Sequence, residues 1–340
     1  MAEDGESDCD GGPSLLFVYP GAIGDLLLAL PALRAFRAKC GARHVHAMLG
    51  DAAARLAGAL ALFDRVHRFG DARWTRLLAS AAPGADVARW LDGFDAVLCF
   101  LAPGPARDAF AAACGRRVTA VDPRPEPGSV THVSDQLAAR LGTGPGDNAA
   151  PPIAVSPERC RHVNKHSGTG PATTLVLHPG SGSPRKCWPA ARFARVAAAA
   201  EAHFHWKPVL LCGPADAEAC QAVARHAAGI PGRDRNLRIV SPEFPEVRDL
   251  LAGARAFVGN DSGISHLAAA LGTPTVAVFG PTDARVWGPR GPRVAVLQGR
   301  TLEDVTPAAV LAALRRLTGS EPAGQNGAFP GRKKVDTNAV

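Results

Sequence analysis

The chain has 340 residues, of which 46% are hydrophobic and 20% charged, and its formal net charge is +7. This length suits two domains with a core each, and the composition is that of a globular protein rather than a disordered one. The basic residues are dispersed and there is one tyrosine, which argues against nucleic acid and suits anionic small molecules or an acidic membrane surface as partners.

The first half of the chain begins with an acidic leader and continues with a repeating strand–helix pattern. Short apolar runs alternate with Ala/Leu/Arg-rich helical stretches over residues 14–145, which predicts a parallel sheet. The predicted strands are Leu15–Tyr19, His44–Leu49, Ala96–Leu101 and Arg117–Val121.

A glycine turn follows the first predicted strand and leads into a helix from Leu26 to Lys39. Gly21 and Gly24 are its only glycines, so it lacks the Gly-x-Gly-x-x-Gly pattern of nicotinamide enzymes. Pro31 lies inside the helical pattern and predicts a kink or a restart of the helix. Asp25 has two interpretations: a helix cap, or a general base at the carboxyl end of a strand, where open α/β sheets bind ligands.

The second half starts after a segment rich in proline, glycine and polar residues, 142–173, which we interpret as the interdomain linker with a short strand near 152–155. Further strands are predicted at Pro208–Cys212, Arg238–Val240, Ala256–Gly259 and Thr275–Phe279. Val305–Leu317 is predicted to be the last helix. Residues from Gly319 onward lack apolar periodicity, which is typical of disorder.

A second glycine turn follows the strand that starts at Thr174. The segment His178–Pro189 supplies hydroxyls and backbone amides, then Lys186, then a proline suited to the start of a helix. Lys186 offers a mobile cation for a phosphate. The alternative is that Arg185 and Lys186 are an ordinary solvated pair.

A third glycine turn, Gly259–Gly263, connects a strand to a helix over Ile264–Leu271. Backbone N–H groups at such a helix start attract anions. Asp261 is either the N-cap of the helix or a residue that shapes the turn beside a diphosphate. His266 lies one helical turn beyond Ser262 on the same face, so it is either a packed residue or part of the site.

The cysteines and the hydropathy bear on the compartment. The eight cysteines include no Cys-x-x-Cys pair, and Cys99 and Cys212 lie in apolar runs, which favours buried reduced thiols. The acidic start is the reverse of a secretory signal, and no apolar run approaches the roughly 20 residues of a membrane span. We therefore expect a cytoplasmic protein.

Taken together, the three turns resemble glycosyltransferase family nine, the ADP-heptose:lipopolysaccharide heptosyltransferases and their relatives. The resemblance covers residues 14–316, and each turn alone would be weak evidence. The matching segments are Gly24–Arg34, His178–Pro189, Asn260–Ala268 and Phe279–Asp283.

The resemblance implies an α/β GT-B architecture, in which two Rossmann-like domains with parallel sheets face an interdomain cleft. The C-terminal helix of such proteins crosses back to the first domain. The resulting division is a disordered leader (1–13), an acceptor-binding domain (14–155), a linker (156–173), a nucleotide-sugar-binding domain (174–303), a helix on the first domain (304–317) and a disordered tail (318–340).

The resemblance also implies roles for residues in the three turns. Asp25 would be the catalytic base that deprotonates an acceptor hydroxyl, and the anomeric carbon would be inverted without a metal or another cofactor. Asp261 would contact the nucleotide, as would a carboxylate that is either Asp216 or Glu218. The residues implied to hold the donor diphosphate are Ser181, Gly182, Ser183, Lys186, Ser262, Gly263 and His266.

The implied function is transfer of a sugar, heptose from ADP-heptose in the leading case, to a glycan or lipopolysaccharide core. A lipid-linked acceptor would bring the protein to the inner membrane leaflet. The family usually has polar residues between the aspartate and the proline of the first turn, whereas Leu26–Leu30 is apolar here, which leaves the acceptor open. The alternatives are a relative with another donor or acceptor, and a non-catalytic nucleotide-sugar-binding protein.

Overall fold

Two parallel β-sheets, one in each half of the chain, form the frame of the protein in this computed structural model. The predicted α/β architecture with two Rossmann-like halves is confirmed. The residues that the structure describes are 12–79, 83–144, 153, 173–231 and 237–320.

The first sheet has the strand order β3-β2-β1-β4-β5, with every neighbouring pair parallel. The central strands β1 and β4 are largely apolar and are buried apart from their first residues, as expected of strands covered on both faces by helices. The strands are β1 Ser14–Tyr19, β2 His44–Leu49, β3 Arg65–Arg68, β4 Ala96–Phe100 and β5 Val118–Val121. The helices are α1 Ile23–Cys40, α2 Asp51–Leu60, α3 Thr75–Leu78, α4 Ala85–Asp92, α5 Pro105–Cys114 and α6 Val133–Arg140.

The second sheet has the order β11-β10-β9-β6-β7-β8 and is also parallel. Its carboxyl edge, like that of the first sheet, carries the glycine turns. The strands are β6 Thr174–His178, β7 Lys207–Leu211, β8 Arg238–Val240, β9 Ala256–Asn260, β10 Thr275–Phe279 and β11 Val294–Gln298. The helices are α7 Ala190–Phe204, α8 Ala217–Ala228, α9 Phe244–Ala252, α10 Gly263–Ala270, α11 Ala284–Trp287 and α12 Pro307–Thr318.

The two halves meet through apolar helices. Helix α1 packs against α10, and α2 packs against α9, so one hydrophobic core runs from the first sheet to the second. Polar bonds also cross this interface: Arg290 forms a bidentate ion pair with Asp135, and His132 Nε2 lies 2.9 Å from the carbonyl oxygen of Gly288. The packing of α1 on α10 brings the turn before α1 against the turn before α10.

Two predictions about helices differ from the structure. Helix α1 does not restart at Pro31 but continues from Ile23 to Cys40, and the hydroxyl of Ser134 donates to the carbonyl oxygen of Leu28 in the same stretch, at 2.7 Å. Helix α12 packs on α7, β10 and β11 of the second domain rather than on the first domain. Its apolar face, which includes Val310 and Leu314, belongs to the core on the outer side of the second sheet.

Several predictions fall on residues outside the described ranges. These are the leader up to residue 11, the strand near 152–155 apart from Ile153, the linker 156–173 apart from its last residue, and the tail from residue 321.

The cysteines differ in part from the prediction. Cys99 is buried and free, as expected. Cys212 is instead joined to Cys220 by a disulfide, because the end of β7 and the first turns of α8 bring their Cα atoms to 6.4 Å, a distance that a disulfide spans.

None of the helices within the described ranges is both long and apolar enough to cross a membrane.

Candidate active site

The first and third glycine turns touch each other across the domain interface. A Cβ atom added to Gly24 would lie 3.1 Å from Cδ2 of His266 and 3.4 Å from the Cα atom of Gly263. A Cβ atom on Gly263 would likewise lie 3.2 Å from the backbone nitrogen of Gly24. Both positions therefore favour glycine because the two helix starts approach closely. The helix starts of α1 and α10 thereby face one another.

Asp25 is the third residue of α1, and the helix start fixes its carboxylate. That carboxylate accepts a hydrogen bond from the backbone N–H of Ala22, the N-cap residue. Burial raises the pKa of Asp25, and the negative charge of Asp261 raises it further, while the Ala22 hydrogen bond and the positive charge of Lys186 lower it. A carboxylate at a helix start with a raised pKa is a stronger base than an exposed aspartate and is suited to accept a proton.

Lys186 and Asp261 form an ion pair beside Asp25. The Lys186 Nζ atom lies 2.8 Å from Oδ2 of Asp261, whose side chain is only 10% exposed. Ser181 donates from its hydroxyl to the backbone carbonyl of Asp261 at 2.7 Å, so the second and third turns are bonded together. The interpretation of Asp261 as an N-cap was wrong: α10 begins at Gly263 and its N-cap is Ser262, in extended conformation.

Asn260 is the residue that connects these two turns most directly, and the sequence reasoning did not single it out. Its side chain is fully buried. Its Oδ1 accepts from the backbone N–H of Trp188 at 3.0 Å, and its Nδ2 donates to the carbonyls of Pro179 and Gly180 at 2.8 and 3.3 Å. The amide thus fixes the loop that carries Lys186 against the end of β9.

His266 is buried and packs against the backbone of Gly24. Burial lowers its pKa to about 4, so the imidazole is neutral at pH 7. It contributes a neutral ring rather than a positive charge to this region. His266 does not line the cavity that opens between the two domains.

A cavity of about 480 Å³ opens between the domains next to these turns, within the size range of small-molecule sites. Of the predicted donor-binding residues it is lined by Ser181, Gly182, Ser262 and Gly263. Ser183, Lys186 and Asp261 lie beside it without lining it. The first domain contributes the turn before α1, together with Ala52 and Arg55 of α2.

The two candidate nucleotide-binding carboxylates differ in position. Asp216 lines the cavity, accepts from the backbone N–H of Gly213 at 3.0 Å, and lies 3.2 Å from Nε2 of His178. The His178 hydrogen bond is the largest cause that lowers the pKa of Asp216. Glu218 is exposed in the first turn of α8 and does not line the cavity.

Arg55, Glu243 and Phe244 are lining residues of the cavity that were missed at the sequence level. The guanidinium of Arg55 lies 5.6 Å from the ring centroid of Phe244, a cation–π distance, and both residues line the cavity. Glu243 lines it next to Phe244. Arg55 and Phe244 belong to different domains. Their sequence contexts, an Ala/Leu helix and a proline-flanked helix start, carry no motif that connects them.

Comparisons with known proteins agree with this architecture. A family model described as "Glycosyltransferase family 9 (heptosyltransferase)" matches residues 130–306. A curated relative, lipopolysaccharide heptosyltransferase 3 of Escherichia coli, is 34% identical over 132 residues, which are 39% of this chain and 38% of the relative. The chain therefore aligns with well under half the length of that relative.

Two solved structures share the fold. The E. coli ADP-heptose lps heptosyltransferase II has a TM-score of 0.71 at 19% identity, over 90% of this chain and 98% of that chain. The iron-containing dodecameric glycosyltransferase TibC from enterotoxigenic E. coli has a TM-score of 0.53 at 14% identity, over 91% of this chain and 79% of that chain. Within the part of the chain that the structure describes, no three His, Cys, Asp or Glu side chains come together as a metal site requires.

Proposed function

The chain belongs to glycosyltransferase family 9, and from that premise we propose that it transfers a sugar from a nucleotide-sugar donor to a hydroxyl of a glycan acceptor. ADP-heptose and a lipopolysaccharide core are the leading donor and acceptor. The observation that carries the proposal is the arrangement of Asp25 opposite the Lys186–Asp261 pair, where the two glycine turns meet beside an interdomain cavity.

In the proposed reaction Asp25 accepts the proton of the acceptor hydroxyl. The hydroxyl oxygen forms a bond to the anomeric carbon from the face opposite the diphosphate, and the bond from that carbon to the diphosphate oxygen breaks. The configuration at the anomeric carbon inverts. A well-placed general base typically contributes about 10²–10⁴-fold in rate, and the Ala22 hydrogen bond holds the Asp25 carboxylate for this task.

Negative charge develops on the leaving diphosphate, and we assign its stabilisation to the second and third turns. The backbone N–H groups at the start of α10, at Ser262 and Gly263, point the positive end of the helix dipole at the cavity. Lys186 has three N–H donors, so it can keep its bond to Asp261 and also bind a phosphate oxygen. Preorganised donors of this kind stabilise developing charge strongly.

For the nucleotide itself we favour Asp216 over Glu218, because only Asp216 lines the cavity. Ser181, Gly182 and Ser183 would contact the diphosphate through the second turn. His266 would act through its packing on Gly24, since a neutral buried ring adds no positive charge. Asp261 would act by holding Lys186 in place.

The alternatives are a relative that uses another nucleotide sugar or acceptor and a protein that binds nucleotide sugars without catalysis. A thermal-shift comparison of ADP-, UDP- and GDP-sugars separates the donors. A ligand at about 100 times its Kd adds about 2.7 kcal/mol to the free energy of unfolding, and we expect the largest shift with ADP-heptose.

Turnover tests the enzymatic proposal. Purified protein, ADP-heptose and a deacylated lipopolysaccharide core oligosaccharide should give a heptosylated product of inverted anomeric configuration by NMR. The rate should survive a chelator, a necessary comparison because a protein of similar fold contains iron. Absence of product with every donor would overturn the enzymatic proposal, and loss of the rate on chelation would overturn metal independence.

We also propose that the protein works on the cytoplasmic side of the membrane and touches the inner leaflet when its acceptor is lipid-linked. The basic net charge of +7 suits an anionic surface. Flotation with vesicles of anionic and of zwitterionic lipid tests this contact. Equal recovery with both lipid types would contradict it.

A further inference from the structure

Tyr19, the one tyrosine of the chain, ends β1 directly before the first glycine turn. Its ring stacks on Phe17 with centroids 6.1 Å apart and meets Phe100 edge-on at 6.0 Å. The residue is 5% exposed. Within the described ranges no hydrogen bond joins its hydroxyl to another residue, so the hydroxyl is available to a bound molecule.

The Tyr19 hydroxyl lies directly beside the first turn. A Cβ atom added to Gly21 would lie 2.6 Å from that hydroxyl oxygen and 2.5 Å from the ring carbon that carries it. Glycine at this position therefore leaves room for the tyrosine. The turn that holds Asp25 thus also fixes the phenol.

Tyr19 and Asp25 line the same small cavity, which is distinct from the large interdomain cavity and measures about 100 Å³. Trp287 of α11 and Arg124 also line it, and the remaining walls are mostly aliphatic. Arg124 already donates to the carboxylate of Asp122 from its Nε and Nη2 atoms. The cavity is large enough for the hydroxyl-bearing edge of a sugar ring, since a water molecule occupies roughly 30 Å³ in the liquid.

On the basis of the proposed function, we propose that Tyr19 binds the acceptor: its hydroxyl donates a hydrogen bond to the acceptor oxygen that Asp25 deprotonates. Trp287 packs against the acceptor sugar in the same cavity. An ionised carboxylate only accepts hydrogen bonds, whereas a phenol donates as well. An alcohol between the two groups can therefore donate to Asp25 and accept from Tyr19 at the same time.

The proton balance of this arrangement is simple. The acceptor proton moves to Asp25 while the oxygen bonds to the anomeric carbon, and Tyr19 keeps its own proton throughout. Burial, with the charge of Asp25 as a second cause, raises the pKa of Tyr19, so the phenol keeps its proton at neutral pH. The Tyr19 hydroxyl would orient the oxygen without exchanging protons.

The test is Tyr19→Phe, which removes one oxygen and retains the ring contacts with Phe17 and Phe100. With ADP-heptose and the deacylated core oligosaccharide we expect kcat/KM for the acceptor to fall about tenfold, which corresponds to about 1.4 kcal/mol for the lost hydrogen bond. The Kd for ADP-heptose should remain within twofold, because donor binding does not need the acceptor. A melting temperature close to that of the wild type would confirm that the fold is intact.

Each other outcome has a defined meaning. A fall of less than threefold in kcat/KM for the acceptor, with the wild type active, overturns the role of Tyr19 and leaves the proposed function standing. A parallel fall in donor affinity also overturns it, since it assigns Tyr19 to the donor side or to the fold. Absence of transfer by the wild type overturns the proposed function and this inference together.

Discussion

Asn260→Ala is expected to destabilise the protein by about 3 kcal/mol. The buried amide bonds the backbone N–H of Trp188 and the carbonyl oxygens of Pro179 and Gly180. Alanine leaves at least one donor and one acceptor buried without partners, and each such group costs about 1–3 kcal/mol. The sum is about 2–6 kcal/mol, and partial entry of water into the space places the expectation in the lower half of that range.

Gln298→Ala is a closely matched control. Its side-chain amide also makes three bonds to the backbone: it accepts from Ala284 N–H at 3.0 Å and donates to the carbonyls of Thr282 and Gly280 at 2.8 and 3.4 Å. Gln298 is exposed, so water can replace the lost partners. We expect this variant to lose less than about 1 kcal/mol.

Urea denaturation followed by tryptophan fluorescence and by far-UV circular dichroism measures both free energies of unfolding. Coincident transitions with unchanged m values would justify the two-state comparison that a two-domain chain requires. The burial argument would be refuted if the two variants lost equal free energy, or if Asn260→Ala lost less than 1 kcal/mol. Because Asn260 also fixes the loop of Lys186, the same variant should bind ADP-heptose more weakly.

Three further predictions concern the charged groups of the site. In calorimetry, Lys186→Met should weaken ADP-heptose binding by about 10- to 100-fold, because a charge-assisted hydrogen bond contributes about 1.5–3 kcal/mol. The control Arg185→Met, at the exposed neighbouring residue, should change the Kd less than twofold. Equal losses of affinity in the two variants would contradict the diphosphate role of Lys186. The transfer rate should rise with pH through a midpoint above that of an exposed aspartate, because burial raises the pKa of Asp25. Lys186→Met should move this midpoint higher, because the positive charge of Lys186 lowers the pKa of Asp25. An unchanged midpoint would count against the charge interaction between Lys186 and Asp25. Asp25→Asn should melt at a higher temperature than the wild type at pH 7 but not at acid pH. The pKa of Asp25 is raised in the folded state, so the ionised carboxylate destabilises the fold at pH values above that pKa, and asparagine carries no such charge. Identical melting curves of the two proteins across the pH range would be inconsistent with the raised pKa.

The sheet cores could be predicted from the sequence because buried parallel strands are continuous apolar runs. Three strands, His44–Leu49, Arg238–Val240 and Thr275–Phe279, match the predicted limits in full, and most of the other predicted strands differ from the structure by one residue at an end. Strand β3 was missed because Arg65–Arg68 is a short edge strand with a single apolar residue, Val66. Strand β11 does contain an apolar run, Val294–Leu297, which the reasoning overlooked.

The site was predictable only as far as local motifs reach. The glycine turns and Lys186 stand out in the sequence, and the fold brings all three turns to one place. The ion pair between Lys186 and Asp261 could not be predicted, because the two residues are far apart in the sequence and no local motif connects them. The contact between Arg55 and Phe244 depends on how the domains dock, and helix packing rather than any motif determines that docking.

The central claim is that the Asp25 carboxylate takes the acceptor proton while the opposite domain holds the donor. A single-turnover measurement on Asp25→Asn, with ADP-heptose and the core oligosaccharide both saturating, tests it most directly, with Asp108→Asn in the exposed first turn of α5 as control. We predict a rate at least about 100-fold below that of the wild type, an unchanged Kd for ADP-heptose, and no change in the control. A transfer rate for Asp25→Asn within threefold of the wild type would contradict the account.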